Sequence, residues 1–165
     1  MPDRPVQRAY IGVGANLGDA RATVCAALAA LATLADSRLV LASALYRSAP
    51  VDAVGPDFIN AVAALDTAMA PLALLAALQA IEQQFGRLRP YRNAPRTLDL
   101  DLLLHGDAAL QTPALTLPHP RLHQRAFVLR PLLQIAPTLA APGLGRLADW
   151  LPACANQAIE QLPAP

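Results

Sequence analysis

Residues 97–104, TLDLDLLL, limit the fold more than any other stretch of this chain. In an extended strand, side chains alternate between faces, so Asp99 and Asp101 share one face while Leu98, Leu100 and Leu102 share the other. An amphipathic strand with its acids in water is the plain reading. Two features argue against it: aspartate is depleted in strands, and the alternation runs on into Leu102, Leu103 and Leu104. That run reads as a centrally buried strand whose acids must be paired or metal-bound. Positions i and i+2 lie roughly 6.5 to 7 Å apart along a strand, so two carboxylates there can converge on hard divalent cations about 3.5 to 4 Å from each other. Asp99 and Asp101 are therefore candidate Mg²⁺ ligands, with the remaining ligands coming from phosphate.

The segment before the strand supports an anionic ligand. All thirteen basic residues of the chain are arginine, and Arg87, Arg89, Arg92, Arg96 and Arg121 lie near the acid pair in sequence. Guanidinium groups are fixed forks for phosphate oxygens, although an ordinary charged loop has the same composition. The net charge of +1 provides no long basic tract for nucleic acid and no acidic tail. Cys25 and Cys154 are too few and too far apart for a disulfide framework or a zinc site, which reads as reduced thiols. The N-terminus has no apolar signal core, and the uncharged run between Arg21 and Asp36 is too short to span a bilayer. A soluble cytoplasmic protein that does not engage membranes is expected.

At 165 residues and 55% hydrophobic content the chain suits one domain, residues 1–165, with a core over about 9–136 and a proline-rich C-terminal extension. Residues 9–19 begin as a short strand, break at Gly12, Gly14 and Gly18, and lead into a helix reaching about Leu34. Gly-x-Gly after a strand hints at a dinucleotide fingerprint, but the third glycine is at the wrong offset and no acidic strand end follows. Residues 38–51 and 58–69 read as strands joined by a Gly-Pro loop. Residues 70–86 form the clearest helix, with Pro71 in its first turn, Gly86 at its end, and Leu74, Leu78, Ile81 and Phe85 as its apolar stripe. Gln79 and Glu82 share another face of it. A Pro-His-Pro corner and a further helix follow the acid strand. The order β-α-β-β-α-β matches a ferredoxin-like α/β sheet with helices packed on it, a three-layer sandwich.

YIGVGANLGD, YRSAPV, GPDFINAVAAL, PRTLDLDLLL and LPHPRLHQRAFVLRPL follow one another across residues 9–136. In that order they resemble the 6-hydroxymethyl-7,8-dihydropterin pyrophosphokinases, folate-pathway enzymes that move a pyrophosphoryl group from ATP to a pterin alcohol. The resemblance implies that Asp99 and Asp101 bind two Mg²⁺ ions on the triphosphate. It implies that Arg87 and Arg96 contact phosphate, and that Gln79, Glu82, Thr116, His119 and Arg125 line the ATP site; where this chain departs from the family pattern and has no lysine to assist, Arg89, Arg92 and Arg121 are the candidates to compensate. Phe58 and Phe127 would sandwich the pterin, Asn60 would hydrogen-bond its edge, and Ser48, Ala49, Pro50 and Val51 would cradle it. Asn93 stands where familiar members have a tryptophan and Pro120 where a tyrosine is common, so those contacts must come from elsewhere. His105 and His123 read as structural. A monomer is expected.

Two other readings have consequences that differ. A non-catalytic ferredoxin-like sensor or RNA-binding sheet would not need the Mg²⁺ pair, and an RNA-binding sheet would want exposed aromatics on adjacent strands, which this sequence lacks. Another Mg²⁺-dependent nucleotidyl or phosphoryl transferase would differ in which phosphorus is attacked.

Overall fold

The alternation that begins at Ala9 continues through both glycines of the first segment. In the computed structural model, which describes residues 4–50, 55–86 and 98–164, strand β1 spans Gln7–Ala15. The strand was expected to break at Gly12; instead neighbours on both sides supply the pairing that glycine's poor strand preference does not. Asp19 then caps helix α1 (Ala20–Leu31), its carboxylate accepting from the Ala22 N–H at 3.1 Å.

The described part of the segment read as one strand, residues 38–50, has two short strands: β2 (Ser37–Ala42) and β3 (Tyr46–Ser48). Both lie antiparallel along β4 (Phe58–Thr67), β2 against its end and β3 against its start. Helix α2 (Pro71–Phe85) starts with proline in its first turn, where no N–H is needed, and buries Leu74, Leu78 and Ile81. Strand β5 (Asp99–His105) returns antiparallel to β1. The main sheet thus has the ferredoxin-like order expected for β-α-β-β-α-β, with β1 between β4 and β5. Among the described residues β5 is the sheet's edge, not a central strand. Its leucines are nonetheless buried, because helices cover both faces of the sheet.

The rest of the chain builds the second face. A small hairpin pairs β6 (Leu110–Gln111) with β7 (Thr116–Leu117), and α3 (Ala126–Ile135) packs on β4. The C-terminal segment folds into a hairpin, β8 (Ala140–Ala141) and β9 (Gly145–Arg146), then a 3-10 stretch Leu147–Cys154. It ends in β10 (Ile159–Gln161), which extends the main sheet beside β3. The two faces have separate cores: Val24, Leu31, Leu74, Leu78 and Leu102 on the α1–α2 side, and Leu103, Leu122, Leu129, Leu132 and Leu147 on the α3 side. The predicted three layers are present. No helix among the described residues is long and apolar enough to cross a membrane.

Candidate active site

The strand registers place the site's side chains in rows on the α3 side of the sheet. One row runs Tyr46, Asn60, Gly14, Asp99 across β3, β4, β1 and β5, and the next runs Val62, Gly12, Asp101. Ser48 stands opposite Phe58 one pair beyond. The two glycines make a trough, with an aromatic and amide end at Phe58, Asn60 and Ser48 and a carboxylate end at Asp99 and Asp101. Neighbouring strands are about 4.8 Å apart, so roughly 10 Å separates β4 from β5 across that floor.

Side chains from α3 and the residues before it complete a cavity of about 440 Å³, lined by the floor residues together with Arg121, Arg125, Phe127 and Val128. The guanidinium of Arg125 lies 5.4 Å from the centroid of the Phe127 ring. At the other end Asn60 is 4% exposed, and its amide N–H donates to Ser48 Oγ at 2.7 Å. This bond fixes which way the amide faces, leaving its oxygen toward Gly14. A Cβ at position 14 would stand 3.2 Å from that oxygen.

Outside the lining, two groups dress the edge of β5. A Glu82 carboxylate oxygen on α2 accepts from the Leu100 N–H at 2.8 Å, between the two acids. The His119 N–H donates to the Leu103 carbonyl at 2.9 Å, which ties the Pro-His-Pro corner to the same strand. His119 Nδ1 accepts from the Arg121 N–H at 3.1 Å, so in the neutral ring Nε2 carries the proton and can donate. Burial pushes the His119 pKa down and the Arg125 and Arg121 charges add to this, against the opposing pull of Asp101.

Two carboxylates on one face of one strand offer hard oxygen donors. No group of three or more His, Cys, Asp or Glu side chains is arranged to hold a metal among the described residues. Two carboxylates suit an ion that takes its other ligands from phosphate and water.

Residues 10–137 match the family described as 7,8-dihydro-6-hydroxymethylpterin-pyrophosphokinase. The chain belongs to this family. A Pseudomonas aeruginosa protein named 2-amino-4-hydroxy-6-hydroxymethyldihydropteridine pyrophosphokinase is 50% identical over 159 residues, covering 96% of this chain and 98% of its own. A Haemophilus influenzae protein of the same name is 44% identical over 135 residues, 81% of this chain and 84% of that one. A crystal structure of Plasmodium falciparum HPPK-DHPS with pterin and p-hydroxybenzoate matches with a TM-score of 0.71 at 13% identity. That match, a likeness of fold, covers 91% of this chain and 43% of the longer one.

Within this pyrophosphokinase-family fold, most of the described residues singled out from sequence converge. Ser48, Ala49, Phe58, Asn60, Asp99, Asp101, Arg125 and Phe127 all line the cavity. Pro50 lines a smaller adjoining cavity of about 150 Å³ that shares Ser48, Ala49 and Phe127. His119 is close enough to Asp101 and Arg125 to feel their charges. Gln79 is exposed on α2 and Thr116 half-buried on β7, and neither lines the cavity. Val51, Arg87, Arg89, Arg92 and Arg96 lie outside the described residues. Sequence reasoning missed Gly12 and Gly14, treating them as strand breakers. The signal was present in their spacing: glycines two apart on a strand clear one face, as Asp99 and Asp101 load one. Of the two histidines read as structural, His105 Nε2 bonds the Met69 carbonyl at 2.8 Å and the His123 ring meets Trp150 edge-on; neither lines the cavity.

Proposed function

We propose that this chain transfers pyrophosphate from ATP to 6-hydroxymethyl-7,8-dihydropterin, giving the pterin pyrophosphate and AMP in folate biosynthesis. The observation that carries the reading is the glycine-floored trough, which has an aromatic pocket at one end and a pair of carboxylates at the other. A flat heterocycle stacks between rings, and its amide-like edge pairs with an oriented amide such as Asn60. A triphosphate needs cations, and Arg121 and Arg125 supply them next to the acids.

Phe58 and Phe127 hold the pterin ring, while Asn60, Ser48, Ala49 and Pro50, with Val51, fix its edge. This aims the hydroxymethyl oxygen along the floor toward Asp99 and Asp101. That oxygen attacks the β-phosphorus in line; the new O–P bond forms as the bond to the α-phosphate oxygen breaks, and AMP leaves with that electron pair. No dedicated general base is required: a lowered pKa of the hydroxyl next to bound metal, or assistance by Asp99, accounts for loss of its proton. Asp99 and Asp101 hold Mg²⁺, two ions on this reading, and such ions neutralise triphosphate charge. Arg125, Arg121 and the Nε2 proton of His119 stabilise the phosphoryl oxygens, so positioning and electrostatics carry most of the rate. Arg87, Arg89, Arg92 and Arg96, with Gln79, Glu82 and Thr116, complete the nucleotide contacts. Residues 1–165 act as a single domain, as a monomer in the cytoplasm.

Incubation with MgATP and the pterin, resolving the nucleotide product, tests this. Pterin-dependent AMP is expected, and chelation of Mg²⁺ by EDTA abolishes it. Formation of ADP would overturn the reading in favour of ordinary phosphoryl transfer, and pterin binding without turnover would favour a binding module.

A further inference from the structure

Helix α3 begins at Ala126 immediately after Arg125, and no side chain from its own N-terminal turn caps it. The cap comes from 31 residues downstream. The Gln157 side-chain oxygen accepts from the Ala126 N–H at 2.8 Å, and its amide N–H donates to the Gln124 carbonyl at 2.8 Å. These two peptide groups flank Arg125, so one side-chain amide clasps that residue's backbone from both sides, much as a neighbouring strand would. The Arg125 carbonyl is held as well, accepting from the N–H groups of Val128 and Leu129. With its backbone pinned in an extended conformation, the Arg125 side chain projects over Phe127 and into the cavity. The residues just after Gln157 enter β10, where Ile159 pairs with Ser48 on the opposite wall. The C-terminal segment therefore touches both walls of the site without lining the main cavity.

We propose that Gln157 is a positioning residue for the reaction, setting the placement of Arg125, and with it Phe127, through this two-bond clasp. The claim rests on the pyrophosphokinase reading. Loss of the clasp lets the first turn of α3 fray and the guanidinium drift; misplacing a charge that stabilises a transition state by about 1 Å is enough for a large loss of rate.

The test compares wild type, Gln157→Met, Arg125→Ala and the double variant by steady-state AMP formation, with thermal unfolding alongside. Methionine keeps the side-chain volume and removes both bonds. Gln134→Ala is the control: Gln134 also bridges two groups, the Ala44 N–H and the Tyr46 hydroxyl, at the far end of α3. Gln157→Met is expected to lower kcat/KM by about tenfold in the wild-type background and to have little further effect once Arg125 is gone. Gln134→Ala lowers the unfolding temperature without changing kcat/KM. An equal loss in both backgrounds, or wild-type kinetics for Gln157→Met, would overturn the proposal. Calorimetric titration of the same four proteins with MgATP reads the coupling in binding. A wild type that binds MgATP but forms no AMP thus sinks the reaction alone, and additive binding losses sink the clasp.

Discussion

Gly14 shows how a single missing atom group shapes the site. Any Cβ there would press on the Asn60 amide oxygen, which must move by a few tenths of an ångström and so turn the amide that is bonded to Ser48. Gly14→Ala is expected to raise the KM for pterin by about tenfold, the cost of one misplaced amide hydrogen bond, while the KM for ATP changes little. Steady-state kinetics with each substrate varied in turn would check this. His119 offers a second test. Its pKa is depressed in the folded protein by burial and by Arg125 and Arg121, against a reference of 6.5. As pH falls below that reference the unfolded chain takes up the proton first, so the stability His119 contributes at neutral pH is lost on acidification through the folded-state value. Its imidazole proton resonance should titrate below 6.5 and shift upward when tripolyphosphate is added. Replacing it, His119→Asn, should flatten the fall in urea midpoint between about pH 7 and 5.

At the level of elements, the acid strand and helix α2 were legible because each has a clear period and end signals: alternation through 98–102, and proline first with glycine last around 71–86. The second strand was read as one because its composition is β-compatible throughout. Its division at residues 43–45 is set by tertiary contacts, among them the Ser43 hydroxyl accepting from the Val62 N–H at 2.9 Å, which no local pattern encodes. The edge position of β5 was also hidden, since a run of leucines reports burial without saying whether strands or helices provide it. Glu82 illustrates the same limit for the site. Its spacing from Gln79 marked a shared face, but its bond to the Leu100 N–H needs the fold. Glu82→Ala leaves that N–H without this partner and is expected to cost about 1 to 3 kcal/mol by urea denaturation. The Mg²⁺ concentration needed for half-maximal activity should rise with it, because Leu100 joins the two acids.

Across the whole molecule, the sheet divides two cores with different consequences. Leu78 lies under α2 on the face away from the site, whereas Leu103 packs on the α3 side, its methyls 3.6 Å from where a Gly12 Cβ would be. Truncating either leucine to alanine should destabilise by about 2 to 5 kcal/mol. At a temperature where both variants stay folded, only Leu103→Ala is expected to lose activity, since its void opens on the trough side of the sheet, beside Gly12; denaturation curves and AMP formation together check this. The C-terminal segment was anticipated as an extension, but its part in the architecture depends on β10 pairing with β3, a contact of long sequence separation that prolines and alanines do not announce. The dressed edge of β5 has one more consequence, for life at high concentration. A bare strand edge invites growth by addition of like strands, yet this one displays two negative charges, its Leu100 N–H is occupied by a carboxylate and its Leu103 carbonyl by the His119 corner. The acids that suit the strand to chemistry also make it a poor template for fibrils, so substitutions that neutralise Asp99 or Asp101 should be watched for aggregation as well as for lost turnover.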